Sequence, residues 1–217
     1  MIKCCIFDLD GTLLNTLVTI EYYLNRTLSE FGLAPMQEDE CRRYVGNGAK
    51  KLVERTLEAR GDFDGEYLDR FYKSYSDAYD SAPDYLTEPY DGICRLLCDL
   101  TERGIKLGLL SNKPHSATEP VVKRFFGDRF SYVSGGRDGV ALKPSPEGVY
   151  IALSKLSCSA DECMYIGDSE VDVYTAAAAG VKLPVAVSWG FRTPVELEES
   201  GAKIIIDRPE KILSLID

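Results

Sequence analysis

Two carboxylates one residue apart, Asp8 and Asp10, follow directly on the apolar run Ile2-Lys3-Cys4-Cys5-Ile6-Phe7 and precede Gly11-Thr12. Like charges this close resist ionising together unless a cation or hydrogen-bond donors offset the field. A hard divalent cation held by oxygens is the simplest remedy, and Mg²⁺ is the ion expected. A plainer reading competes, because Asp, Gly and Thr are ordinary turn and cap residues, and Asp-Leu-Asp-Gly-Thr alone could be a polar turn leading into a helix. Three later groups decide between the two. They are Ser111-Asn112, then Lys143 ahead of Pro144-Ser145-Pro146, then Gly167-Asp168 with Asp172. A hydroxyl, an N–H-rich turn, an ammonium and a second pair of acids together suit an anion and a cation bound side by side.

The elements that must position these groups are strands. A short apolar run bounded by Gly and Thr reads as a strand buried on both faces in a parallel sheet. Asp8 and Asp10 then lie at its carboxyl end, the edge where open α/β sheets bind ligands. Residues 105–110 form a second strand running into Ser111, and 163–166 a third running into Asp168; further strands are expected at 130–133, 184–187 and 203–206. Helices separate most of them: Ile93, Leu97 and Leu100 mark one that ends at Gly104, and Ala176 to Ala179 one ended by Gly180. This alternation predicts an α/β fold with a doubly wound parallel sheet.

Residues 15–85 follow a different pattern. Ile20, Tyr23, Leu24, Thr27, Leu28 and Phe31 recur at helical spacing, as do Leu68, Phe71, Tyr72, Tyr75 and Tyr79. Such stripes predict helix-on-helix packing. Between them Gly46-Asn47-Gly48 precedes a helix carrying Lys50 and Lys51, a loop that could bring backbone to an anion or could be a plain turn. The Pro-, Asp- and Gly-rich stretch 82–92 reads as a return linker. The organisation expected is an α/β core over 1–14 and 86–217 with a small inserted α-helical cap domain over 15–85.

Composition narrows the function classes. The 217 residues are 45% hydrophobic with a formal net charge of -10. That acidity argues against a broad nucleic-acid or anionic-membrane surface, while a small anion remains compatible with a local cluster of lysine, metal and backbone N–H groups. No signal-peptide pattern or membrane-length apolar run is legible, so a cytoplasmic protein is expected. Seven cysteines without paired Cys-x-x-Cys spacing read as reduced structural thiols. No heptad is legible; a monomer or small homo-oligomer is expected.

Taken in order, Asp8-Leu9-Asp10-Gly11-Thr12, Ser111-Asn112, Lys143-Pro144 and Gly167-Asp168 with Asp172 resemble the haloacid dehalogenase-like hydrolase superfamily, its phosphatases with a helical cap in particular. Gly46-Asn47-Gly48 and Lys143-Pro144-Ser145-Pro146 are most similar to phosphoglycolate phosphatases. Asn15-Thr16 departs from the Asp-Ser common there. The resemblance implies a core of Rossmann-like form and hydrolysis of a small phosphorylated metabolite through an aspartyl-phosphate. Asp8 would be the nucleophile and Asp10 the acid and base. Mg²⁺ would be held by Asp8, the Asp10 carbonyl and Asp168, with Asp172 behind them. Ser111, the Asn112 N–H and Lys143 would hold the phosphoryl oxygens, and Gly46, Asn47, Gly48 and Lys50 would form a substrate loop on the cap. Residues 15–17 and 82–89 would be hinges, His115 a surface or cap-facing residue, and Trp189 a packing residue. A phosphomutase of the β-phosphoglucomutase type, a nucleotidase and a pyrophosphatase share the core motifs. A phospho-acceptor signalling or binding module is the non-enzymatic alternative.

Overall fold

The protein is described by a computed structural model covering residues 1–216. In chain order its elements are β1 (Cys4–Phe7), β2 (Leu14–Asn15), α1 (Leu17–Glu30), α2 (Glu38–Tyr44), α3 (Ala49–Glu58), α4 (Leu68–Ser81), β3 (Glu88–Pro89), α5 (Ile93–Glu102), β4 (Lys106–Pro114), α6 (His115–Phe126), β5 (Tyr132–Gly136), α7 (Glu147–Leu156), β6 (Cys163–Gly167), α8 (Glu170–Ala179), β7 (Leu183–Val187), α9 (Pro194–Glu199) and β8 (Ile205–Ile206), with 3₁₀ segments at Ala160–Glu162 and Pro209–Leu215.

Among the described residues the main sheet runs β5-β4-β1-β6-β7-β8, and every pairing in it is parallel. The alternation of side chains along β1 explains its central place. Cys5 and Phe7 point to the face covered by α5 and α6, where Leu97, Leu100, Val121 and Phe126 pack. Cys4 and Ile6 point to the face covered by α7 and α8, against Val149, Ala152 and Ala176. A strand apolar on both faces is stable only between two helical layers, each large side chain so buried contributing about 1.5–3 kcal/mol. The two thiols behave as small apolar fillers, and both are free. The doubly wound parallel sheet expected from the sequence is therefore the observed architecture.

Three strand boundaries differ from expectation. The strand placed at 130–133 lies at Tyr132–Gly136, because Phe130 meets the rings of Phe7 and Phe126, 6.4 and 5.8 Å away, instead of joining the ladder. The one placed at 203–206 contracts to Ile205–Ile206. β4 in turn runs on through Pro114, and its pairing with β5 shifts register between Leu110 and Pro114. Such an irregularity bends a strand and re-aims its side chains; here it falls on Ser111, Asn112 and Lys113.

Helices α1 to α4 share a second hydrophobic cluster that contains Leu24, Leu28, Leu57, Phe71, Tyr75 and Tyr79 and also takes in Ala117 of α6 and Phe191. At the two ends of this helical segment β2 pairs antiparallel with β3, Leu14 opposite Pro89 and Asn15 opposite Glu88. Among the described residues no helix is long and apolar enough to cross a membrane.

Candidate active site

The carboxyl ends of β1, β4 and β6, with the loop between β5 and α7 that carries Lys143, bring four of the sequence motifs to one place. Asp8 is the first residue beyond β1, and its N–H continues the ladder by donating to the Ile166 carbonyl at 2.9 Å. Its carboxylate accepts the Leu9 N–H at 2.7 Å. Lys143 Nζ stands 2.9 Å from Asp8 Oδ1 and 2.7 Å from Asp172 Oδ1. One buried ammonium thus serves two buried carboxylates.

Around it, Asp168 accepts the Thr12 hydroxyl at 2.9 Å and the Phe191 N–H at 2.8 Å. Asp172 accepts the Tyr165 hydroxyl at 3.0 Å and the Ser169 hydroxyl at 2.6 Å. Carboxylate oxygens of Asp8, Asp168 and Asp172 lie within 4.8 Å of one another. Backbone gives way to admit them. A Cβ on Gly11, which has φ +84°, would sit 2.2 Å from Asp168 Oδ2, and one on Gly190 would sit 2.4 Å from the Asp168 Cβ.

The electrostatics follow from burial. Desolvation pushes Asp8 up to about 7; the nearby Lys143 charge pulls it down and the Asp172 and Asp10 charges push it up. Asp168 is driven well above the ordinary carboxylate range by burial, then by Asp172 and Asp8. Burial works against the Lys143 charge, yet the fields of Asp172 and Asp8 outweigh it and hold the ammonium well above its ordinary value. Three acids facing one lysine leave negative charge uncompensated in a dry site. The donor set is carboxylate oxygen throughout, which fits a hard divalent cation such as Mg²⁺.

The expected phosphoryl-binding groups surround the same point. Ser111 and Asn112 are buried at the β4 irregularity. The Asn112 side chain is committed to structure: Oδ1 accepts the Lys143 N–H at 2.8 Å, while Nδ2 donates to the Lys143 carbonyl at 2.9 Å and the Gly46 carbonyl at 3.1 Å. It fastens the lysine loop and the helical segment to β4.

Asp8, Asp10, Ser111, Asn112 and Asp168 open on one cavity. The space is roomy enough for a small molecule. Gly46 and Gly48 line it together with apolar groups of the helical segment, Ile20, Leu52 and Tyr75 among them. Lys50 is exposed, Asn47 is half-buried, and neither lines the cavity. Lys51 pairs with Glu54 at 2.8 Å in solvent.

Four residues carry more than the sequence suggested. Lys113 is buried, lines the cavity and reaches Asp10; its signal was a cation at a strand end inside Ser111-Asn112-Lys113-Pro114. Tyr79, expected as helix packing, packs against Tyr23 and Tyr75 but also faces the cavity. Arg192 donates to the Arg42 and Val45 carbonyls at 2.6 and 3.1 Å and to Glu170 at 2.8 Å, tying the loop after β7 to the helical segment; no spacing rule marks it. Phe191 packs in the helical cluster and also gives its N–H to Asp168. Trp189 packs as expected and donates its indole N–H to the Thr12 carbonyl at 3.0 Å. His115 is half-buried and accepts the Gly135 N–H at 3.2 Å.

With the site in view, known proteins offer comparison. Residues 5–186 match the family model described as haloacid dehalogenase-like hydrolase. The chain is 39% identical to a phosphoglycolate phosphatase of Rhodospirillum rubrum, over 95% of this chain and 88% of that one. It is 33% identical to a phosphoglycolate phosphatase of Pseudomonas fluorescens, over 94% and 76%. Its fold superposes on the crystal structure of a predicted phosphoglycolate phosphatase from Haemophilus somnus with a TM-score of 0.92 at 25% identity, covering 100% and 98% of the two chains.

Proposed function

The chain belongs to the haloacid dehalogenase-like hydrolase family and is a phosphoric monoester hydrolase, and from that premise we propose a Mg²⁺-dependent phosphatase acting through an aspartyl-phosphate on Asp8, with phosphoglycolate or a close relative as substrate. The observation that carries this reading is the Asp8 carboxylate at the end of the central strand, 2.9 Å from Lys143 and beside Asp168 and Asp172, at the floor of a small cavity.

In this reading Asp8 attacks phosphorus and the alcohol leaves. Covalent catalysis of this kind replaces one difficult displacement with two easier ones. Lys143 lessens the repulsion between Asp8 and an anionic ester and, with the Ser111 hydroxyl and Asn112 N–H, holds the phosphoryl oxygens. Asp10 protonates the leaving oxygen and later takes a proton from the attacking water, work commonly contributing 10²–10⁴-fold. Asp8, the Asp10 carbonyl and Asp168 would hold Mg²⁺, and Asp172 fixes Lys143 and would brace that set. When bound, the cation supplies Lewis acidity and offsets the charge of the three acids. Helices α1 to α4 act as a cap domain over residues 15–85, excluding bulk water from the intermediate.

The test is phosphate release from a panel of phosphoglycolate, sugar phosphates, nucleotides and pyrophosphate, with and without EDTA, beside an Asp8→Asn control. Release from one small ester, lost on chelation and in Asp8→Asn, is the expected outcome. Sugar-phosphate isomerisation without phosphate release would overturn the reading in favour of a phosphomutase.

A further inference from the structure

Lys113 is a buried cation that the scheme above leaves without a task. Its Nζ lies 3.2 and 3.4 Å from the two Asp10 oxygens and 2.5 Å from the Tyr79 hydroxyl. The ammonium also stands 4.5 Å from the centroid of the Tyr79 ring, within cation–π range. Tyr79 belongs to α4, in the helical segment, whereas Lys113 and Asp10 belong to the strand ends. Three residues far apart in sequence thus meet at the cavity wall.

Burial makes the arrangement informative. A single buried lysine–carboxylate pair is often no better for stability than apolar residues of the same volume. What the pair does fix is where the Asp10 carboxyl points. We propose that Lys113 is a positioning residue, holding the Asp10 carboxyl toward the leaving oxygen and seated in turn by Tyr79, so that the acid is set for its step only while α4 lies over the site.

This inference rests on Asp10 being the general acid. In that step the bond from phosphorus to the ester oxygen breaks, its electron pair passes to oxygen, and the proton comes from Asp10. A poor leaving group such as an alkoxide needs that proton, while the carboxylate leaving from an acyl phosphate does not. Misplacing Asp10 therefore penalises alkyl esters selectively.

The experiment compares kcat/KM, which reads the steps up to departure of the leaving group, on a small alkyl phosphate and on acetyl phosphate of similar size. Lys113→Met should lose on the order of 10²-fold on the alkyl ester, the lower end of acid–base contributions, and much less on acetyl phosphate. Tyr79→Phe should show the same asymmetry more weakly. Lys113→Arg should recover part of it, the charge being kept while the planar fork fits imperfectly. The ratio between substrates does not depend on how much of a variant is folded, so loss of folded protein cannot mimic the result. Equal losses on both substrates in Lys113→Met, with Asp10→Asn still discriminating between them, overturn the role of Lys113. Equal losses in Asp10→Asn overturn the assignment of the acid itself.

Discussion

Asp8 holds its charge against the fold. Burial raises it to about 7, against 3.8 for the same carboxyl in the unfolded chain, so between those values the folded state binds more protons than the unfolded one. Stability from this group is present at low pH and falls as pH rises through the window from about 4 to 7, the reverse of the usual salt-bridged aspartate. Metal-free Asp8→Asn, with no charge to bury and with Lys143 still paired to Asp172, should therefore be more stable than the parent at pH 8. The gap should narrow at pH 5 and close only near pH 4, where Asp8 of the parent is protonated in the folded and the unfolded chain alike. Urea unfolding in EDTA at the two pH values measures both, and a variant less stable at pH 8 contradicts the account. Conflict of this kind is also why the core of the site was legible. An acid directly after an apolar run breaks the local pattern, and Asp8, Asp10, Asp168 and Lys143 all stand where a sequence built for stability alone has little use for charge. Tyr79 breaks no pattern, since a tyrosine at helical spacing reads as packing; that it also meets Lys113 depends on the approach of α4 to β4, which no local signal records.

At the scale of elements, what remained hidden is how they are joined. The existence of the main-sheet strands followed from apolar runs ended by turn residues, but the limits of β5 did not, because Phe130 is as apolar as a strand residue and is consumed by ring packing with Phe7 and Phe126. The register shift that turns Ser111 to Lys113 toward the cavity is likewise a property of two paired strands. Arg192 is the clearest case. Buried and held by Glu170, it donates to two carbonyls at the end of α2, so its loss leaves those acceptors and Glu170 without a partner. Charged hydrogen bonds of this type contribute about 1.5–3 kcal/mol, enough to change the docked fraction of the helical segment roughly 10- to 100-fold. Arg192→Met is expected to raise KM by about 10-fold or more. Amide exchange should quicken across 38–48 while residues 163–167 stay protected. Uniform quickening across the whole chain would mean global destabilisation instead of a loosened segment.

For the molecule as a whole, the metal is the term that reconciles fold and chemistry. With a formal net charge of -10 and three buried acids around one lysine, the metal-free protein is loaded with repulsion that a cation bound between the acids relieves. A ligand that binds only the folded state stabilises it by about 2.7 kcal/mol at 100 times its Kd, and a chain near 200 residues shifts by roughly 2–4 °C per kcal/mol. Saturating Mg²⁺ should thus raise the unfolding midpoint at pH 8 by about 5–10 °C over an EDTA sample. Protons compete with the cation for Asp8, so the same addition at pH 5.5 should give a smaller rise. General screening of the acidic surface would produce a different signature: NaCl at matched ionic strength would reproduce the shift, and it would persist in Asp8→Asn. A rise that NaCl fails to reproduce, that shrinks on acidification and that is lost with Asp8 places the cation at Asp8, at the carboxyl end of the central strand.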